Sequence, residues 1–459
     1  MSASTAGAPH SNLQRIARML LAFDADNAPL TSGALFAAAR INRSTGFGLL
    51  KALGKAGYLR RVEHGLWQLG GRAAELAFSP IDRRDIQFSA AAAKSRANIT
   101  GHLNLDPSLV ELSDTGRYRK SAPYHIGFSN ASVSNPWRRA MVGSMAYAYH
   151  AHDDKISRFS ALDAGDDPLL QARQIDELAQ AGIDLLLVSV ANAGSQEIAE
   201  RLRHWSDKGL PIVAIDRAPS QSDALTAFVT ASDAFIGRVS ALWLAEYLRG
   251  QGRIWMLSGL QNASPAVDRQ AAALSVFSEF PGVKVESVSY TGWTEQGGYD
   301  AVSGLLAGGR DIADGIWCDS GLQGIGSIRR LIELEAAAIP PHTGGDLNAM
   351  YRICLRRQVP MAALDYPAVM GARAVETALD VLAGRATPKR TEVIVKVVVP
   401  KGMETASVKA DVWAESHVEW DSPGDKILSQ GPAMAALPAG WGGQFGGGHG
   451  GICDLRQSG

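Results

Sequence analysis

Ten residues spread over more than two hundred positions carry side chains that suit a polyhydroxylated ring: Asn135, Trp137, Arg138, Asp216, Arg217, Arg269, Asp319, Ser320, Asp346 and Asp365. Carboxylates accept from pairs of hydroxyls, guanidinium groups donate to ring or hydroxyl oxygens, and an indole covers the apolar face of a sugar. Each lies just after a short apolar run or at the opening of a helical pattern, in the stretches "SNPWRRAM", "PIVAIDRAP", "AVDRQAAA", "IWCDSGLQGIG", "GGDLN" and "ALDYPAVM". Taken singly they are ordinary. Asp216 and Arg217 read as a surface pair worth about 1 kcal/mol or less, Trp137 as core, and Asp319 and Asp346 as helix N-caps. Their shared placement is what argues for a site.

The elements that must position these residues alternate. Strand-like runs occur at Tyr124–Ser129, Ile183–Val190, Pro211–Asp216, Ala227–Thr230, Arg253–Ser258, Val283–Tyr290 and Gly315–Cys318, with helical patterns such as "QARQIDELAQAG", Gln196–Gly209 and "SIRRLIELEAA" between them. That alternation implies an α/β fold of βαβ units with parallel sheets covered on both faces. Ligands of such sheets bind beyond the carboxyl ends of the strands, where the ten residues fall.

At 459 residues the chain has room for two or three domains of roughly 100–200 residues each. Composition separates four regions: 11–79, helical and ending in a hairpin; 80–122, an Ala-, Ser- and charge-rich linker; 123–405, the alternating region; and 406–459, a C-terminal extension. The extension collapses from about Gly431 into "LPAGWGGQFGGGHGG", which buries too little to order and is expected to be disordered. No signal-peptide pattern opens the chain and no apolar run is long enough to span a bilayer, so a cytoplasmic protein without a membrane partner is expected. Cys318, Cys354 and Cys453 are too few and too scattered for a disulfide framework or a zinc site. No Ser/His/Asp or Cys/His set sits at strand ends, no Gly-rich phosphate loop follows the first strand, and His342 and His449 read as incidental. No catalytic residue, metal or cofactor is therefore expected, and the chain is not read as an enzyme.

The net charge of -1 hides a local asymmetry, because Ser11–Leu76 holds nine Lys or Arg against four Asp or Glu. "LQRIARMLLAF" puts Leu13, Ile16, Leu20 and Phe23 on one helical stripe, "PLTSGALFAAAR" gives a second helix capped near Thr31 or Ser32, and "INRSTGFGLLKALGKAGY" gives a third with Leu49, Leu50 and Leu53 inward. "YLRRVEHGLWQLG" alternates around His64-Gly65 and reads as two strands. Three helices followed by a hairpin make a winged helix-turn-helix, whose third helix enters the DNA major groove while the wing touches phosphate or minor groove. The residues so placed are Arg43, Ser44, Thr45, Lys51, Arg60, Arg61 and His64.

"RSTGFGLLKALGKAGYLRRVEHGLWQLG" resembles the DNA-binding domain of the isocitrate-lyase-regulator (IclR) family over about the first eighty residues. It departs at Gly46-Phe47-Gly48, where that family carries an aromatic and a basic residue. From about Tyr124 to Pro400 the chain is similar to the type 1 periplasmic sugar-binding proteins, the ribose-binding-protein group, on the six stretches quoted above. The resemblance implies two lobes around a hinged cleft. Asn135 and Trp137 match an asparagine and a stacking aromatic; Arg138 stands where a second aromatic is common. Asp216, Arg217, Arg269, Asp319, Ser320, Asp346 and Asp365 match polar ligand contacts. A cation at Arg138 favours a carboxylate or phosphate on the ligand, or else pairs with Asp365 or Asp319. Cleft residues between open lobes are not core, so Trp137, Asp216 and Arg269 are expected to be replaceable without unfolding the free protein. Together the two halves imply a dimeric regulator of transcription that binds operator DNA and senses a sugar, sugar alcohol or sugar acid; the alternative is the binding receptor of a sugar transporter.

Overall fold

The computed structural model describes residues 15, 16, 19, 20, 22, 23, 29–56, 58–63, 65–69, 111–430 and 453–454. The chain divides into two compact units, Met1–Ala93 and Lys94–Gly459.

In the smaller unit Arg15, Ile16, Met19 and Leu20 are helical. They precede β1 (Leu30–Thr31), α1 (Ser32–Ala39), α2 (Arg43–Lys55), β2 (Leu59–Glu63) and β3 (Leu66–Leu69). Thr31 caps α1, its hydroxyl accepting from Ala34 N at 3.1 Å, and Arg40 ends it in the left-handed region at φ 52°. Asn42 caps α2 by accepting from Thr45 N at 2.9 Å. The strands form one antiparallel sheet in the order β1-β3-β2, and Gly65 turns β2 into β3 at φ 81°. Met19, Leu20, Phe23, Leu35, Phe36, Leu50, Leu53 and Leu59 are its core. Leu49 and Ile16 are only half-buried, and Leu13 and His64 lie outside the described residues.

The helix-weakening Gly-Phe-Gly run has a packing cause at one of its two glycines. A Cβ on Gly46 would stand 2.3 Å from Cδ1 of Phe36, whereas one on Gly48 would meet nothing within 4 Å. Gly46→Ala should therefore destabilise this unit by about 1–3 kcal/mol, the usual cost of overpacking. Gly48→Ala should stabilise it by about 0.5–1 kcal/mol through helix propensity. Hydrogen exchange of the α2 amides reads both. Equal responses would mean that the Phe36 ring moves aside freely.

The larger unit opens with β4 (Leu112–Ser113) and runs through β5 (Tyr124–Asn130), α3 (Pro136–Ala151), β6 (Ile156–Asp163), α4 (Pro168–Gln180), β7 (Leu185–Val188), α5 (Gln196–Asp207), β8 (Ile212–Ile215) and β9 (Ala227–Thr230). It continues with α6 (Asp233–Tyr247), β10 (Gln251–Ser258), α7 (Ser264–Ser278), β11 (Gly282–Tyr290), α8 (Glu295–Ala307) and β12 (Gly315–Cys318). Next come α9 (Gly321–Glu333), β13 (His342–Gly344), α10 (Asn348–Arg357), β14 (Met361–Asp365) and α11 (Met370–Leu382). It ends with β15 (Thr387–Pro388), β16 (Arg390–Glu392), β17 (Lys396–Val399), β18 (Val412–Trp413), α12 (Ala414–His417) and β19 (Cys453–Asp454).

Two seven-stranded sheets result, ordered β16-β9-β8-β7-β5-β6-β19 and β11-β10-β12-β13-β14-β17-β18, each with a parallel centre. The chain passes between them four times: after β9, after β14 into α11, which packs on α3, between β16 and β17, and, by a longer route, between β18 and β19. Three short passages with a cleft between two α/β lobes are the architecture of a hinge. Gly371 lets α11 approach α3 closely, since a Cβ there would sit 2.2 Å from Met141 O.

The structure differs from the sequence reading in several places, and the strands β14 and β17 are among those not expected. The strand β6 was not among the expected runs, because Arg158 and two serines interrupt an otherwise buried stretch. β13 has three residues, too few to show a period. Residues 111–122, placed in the linker by composition, belong to the larger unit: β4 pairs with β15, Thr115 donates to Arg385 O, and Tyr118 is buried. Residues 406–430 of the C-terminal extension pack onto the larger unit. Asn348 Nδ2 donates to the carbonyls of Glu419 (2.7 Å) and Pro423 (3.1 Å), and Leu428 N donates to Asp346 O at 2.9 Å. The Gly-rich stretch 431–452 lies outside the described residues, and Cys453–Asp454 pairs antiparallel with β6.

Candidate functional site

Where the strand ends of the two lobes meet, a cavity of about 40 Å³ is walled by Asn135, Trp137, Arg138, Asp216, Arg217, Pro265, Arg269, Trp293, Ser320, Leu322, Asp346 and Tyr366. The lobes touch beside it: Ala193 N reaches Asn262 O at 3.4 Å, and the Arg217 guanidinium lies 5.3 Å from the Trp293 ring centre.

Aromatic faces come from both lobes and from a passage between them. Trp137, at the first turn of α3, is 8% exposed and donates Nε1 to Tyr366 O at 2.8 Å, with the two rings 4.9 Å apart. The Tyr366 ring also meets the Arg269 guanidinium, 4.3 Å from its centre. Trp293 is held by its Nε1 on Asp319 Oδ1 at 3.0 Å, over Gly259, where a Cβ would come within 2.0 Å of the indole. Asn135 caps α3 by accepting from Arg138 N at 2.9 Å, and Ser320 caps α9.

Each cavity arginine has its own carboxylate. Arg138 donates to Asp216 Oδ2 at 2.6 Å and to Ser189 Oγ at 2.9 Å; Arg217 to Asp166 at 2.8 Å; Arg269 to Asp233 at 2.8 Å and to Asp319 O at 3.0 Å. Asp216 also accepts from the Tyr366 hydroxyl at 3.0 Å. Burial, and then repulsion by Arg138, lowers the Arg217 pKa to about 10. Burial and the nearby Asp365 hold Asp346 well above the usual carboxylate range, and burial raises Asp319 as well. Asp365 goes the other way: burial alone would raise it, but His417, Tyr351 and the Asp346 N–H take it below its ordinary value. Three wall residues stand in left-handed backbone, Asp216 at φ 60°, Asp346 at φ 70° and Trp293 at φ 53°. Such strain in a bulky residue persists only where the surroundings enforce it.

Eight of the ten residues singled out in the sequence thus line one cavity. Asp319 sits behind the wall, orienting Trp293 and accepting from Gly259 N at 3.0 Å. Asp365 turns away, accepting from Asp346 N at 2.9 Å and from Tyr351, with His417 Nε2 of α12 at 2.6 Å on its other oxygen. The expected pairing of Arg138 with Asp365 or Asp319 is replaced by Asp216, which shares its lobe and faces it across the strand ends. Pro265, Trp293, Leu322 and Tyr366 complete the wall beyond the residues expected from the sequence, and Tyr366 directly follows Asp365. Among the described residues no cluster of His, Cys, Asp and Glu is arranged to hold a metal.

Close by, Asp163 accepts from Asn130 Nδ2 at 2.8 Å, and burial raises its pKa from 3.8 to about 6. A carboxyl that binds its proton more tightly when folded destabilises the fold progressively as pH rises from about 4 to about 6. His342, buried against Ser327 and Pro340 O with its pKa lowered to about 4, acts in the opposite sense over the same range. Asp163→Asn keeps the acceptor and removes only the first contribution, so its stability relative to wild type should increase from pH 4 to pH 6 in urea titrations. A constant difference would mean Asp163 titrates normally.

Residues 126–386 match the family described as periplasmic binding protein domain. The xylitol-binding protein of Mycolicibacterium smegmatis is 24% identical over 177 residues, covering 39% of this chain and 50% of that protein, so the chain spans about half of that relative. The ribose import binding protein RbsB of Bacillus subtilis is 21% identical over 283 residues, covering 62% of this chain and 88% of that protein. Among solved structures, the fructose-binding periplasmic domain of a hybrid two-component system aligns with a TM-score of 0.56 at 24% identity, covering 61% of this chain and 92% of that one. A solute-binding protein of Bacillus halodurans with bound myo-inositol aligns with a TM-score of 0.56 at 19% identity, covering 62% and 97%. At these identities the structural matches establish the fold.

Proposed function

The chain belongs to the periplasmic binding protein domain family, and on that premise we propose that its cavity binds a neutral sugar or sugar alcohol whose occupancy controls DNA binding by the smaller unit. The observation that carries the ligand reading is the cavity wall itself, with stacking faces from Trp137, Trp293 and Tyr366 and self-paired charges at Arg138, Arg217 and Arg269. Xylitol, ribose, fructose and myo-inositol, the molecules named for the relatives, are the first candidates. Two lobes joined by three short passages close on such a ligand, and a ligand shifts an equilibrium only by its differential affinity for the two states. The DNA-binding half of the reading is supported by the local basic excess and by the order of helices and strands in residues 30–69. The protein is read as a homo-oligomeric regulator rather than an enzyme.

A thermal-shift screen of neutral sugars, polyols and their acids tests the ligand reading: ligand at about 100 times its dissociation constant should add roughly 2.7 kcal/mol. No shift with any of them sinks it. Selection of duplex DNA from a random library tests the other half. A fragment lacking the smaller unit should bind the sugar and lose the DNA, and it must begin before Glu111, because a start at Ser121 would remove β4 and Tyr118. The transport-receptor reading, favoured by the likeness to the ribose import protein, predicts instead that no duplex is enriched.

A further inference from the structure

The exposed face of α2 is not uniformly polar. Arg43, Phe47, Lys51 and Lys55 follow one another at four-residue steps, all exposed, so they share one stripe of a 13-residue helix about 20 Å long. Phe47 is 56% exposed, although a phenylalanine gains most from burial. Its ring is not loose: it stands edge-on to buried Phe36 with centroids 5.0 Å apart. Beside it Gly48 is exposed with open space where a Cβ would be, leaving the helix backbone bare. None of the three cations has an ion-pair partner among the described residues.

Building on the DNA-binding reading above, we infer that α2 holds Phe47 against the 5-methyl group of a thymine in the major groove, with Arg43, Lys51 and Lys55 on flanking phosphates and Gly48 allowing the helix to sit close. The groove admits a helix, and the thymine methyl is the one apolar group on its floor, which apolar side chains recognise. Cations at both ends of the stripe match the phosphate ridges that border the groove, while the aromatic lies between them. A protein partner would suit the ring as well. The unpaired positive charge on either side of it favours nucleic acid.

Duplexes enriched from a random library by the full chain are the probe. Thymines of an enriched duplex are replaced one at a time by uracil, which removes a single methyl and leaves the protein untouched. Wild type should lose about fourfold in affinity at one position in each half-site. Phe47→Ala should lose a similar factor on the thymine duplex, and the two changes together should cost no more than either alone. The salt dependence of binding should be the same for Phe47→Ala and wild type, and shallower by about one unit for Lys51→Gln. Additive losses, or no methyl dependence at any position, overturn the inference and leave DNA binding standing. Failure to enrich any duplex overturns the DNA-binding reading and the inference with it. A Phe47→Ala chain that keeps the thymine preference but no longer self-associates in sedimentation assigns the face to a second copy and overturns it too.

Discussion

Asp216→Asn should lower the unfolding free energy of the larger unit by about 3–5 kcal/mol, the cost of removing one member of a buried ion pair. Arg138 and Asp216 are 3% and 4% exposed in their side chains and 2.6 Å apart. The amide keeps the shape and leaves the charge of Arg138 without its carboxylate, beside Arg217, whose pKa already registers repulsion from Arg138. The Tyr366 hydroxyl loses its charged acceptor as well. A paired replacement, Arg138→Met with Asp216→Asn, should recover most of that loss, because no buried guanidinium is left without its carboxylate and asparagine tolerates the left-handed backbone at φ 60°. Urea unfolding of the full chain, followed by tryptophan fluorescence, distinguishes the two. This replaces the expectation that cleft residues are removable without cost. All three residues named for it, Trp137, Asp216 and Arg269, are buried here and bonded within the protein. A loss below 1 kcal/mol for Asp216→Asn would mean that the free protein holds its lobes apart and its ion pairs in water.

Periodicity made the alternation of strands and helices legible, and with it the fact that residues after strands would converge. Asp216-Arg217 and Trp137 were readable because each stands at a sharp change from apolar run to polar turn. Arg217 and Trp293 meet from opposite lobes, and nothing near either residue in the sequence encodes that. Trp293 follows Gly292 in a turn whose left-handed backbone is imposed by Gly259 and Asp319 from other segments. Asp365 illustrates the limit most directly. Its chemistry suits a ligand as well as that of Asp346 does, and only the arrival of Tyr351 and His417 turns it into a support for its neighbour. His417 lies beyond residues 126–386, in an extension whose composition gave no reason to expect contact with the site. Gly46 is similar in kind, because its need for no side chain is set by Phe36 on another helix.

A neutral polyol or sugar should bind at least about a hundredfold more tightly than the acid of the same carbon skeleton. Read alone in the sequence, Arg138 suits an acidic ligand, but its two terminal nitrogens already donate to Asp216 and Ser189. Arg217 is bonded to Asp166 and Arg269 to Asp233, so no cavity cation lacks a carboxylate. Asp346 lies on the wall in addition, held toward its neutral acid form by burial and by Asp365, and in that form it donates to a hydroxyl rather than repelling it. A ligand carboxylate brought here would add an unmatched negative charge at low dielectric. Burying a carboxylate without a partner costs on the order of several kcal/mol, more than the roughly 2.7 kcal/mol that a hundredfold represents. Arg217, on the wall, keeps a buried Nε that has no hydrogen-bond partner among the described residues and lies 4.0 Å from Asp216 Oδ2. Arg217→Gln should therefore weaken the neutral ligand, and Arg138→Gln should not distinguish neutral from acidic ligands, since Arg138 acts through Asp216. Calorimetric titration of a pentitol or pentose against the matching aldonic acid decides it. Tighter binding of the acid would mean that an arginine abandons its carboxylate for the ligand, and the pairing of charges would then be a feature of the empty cavity alone.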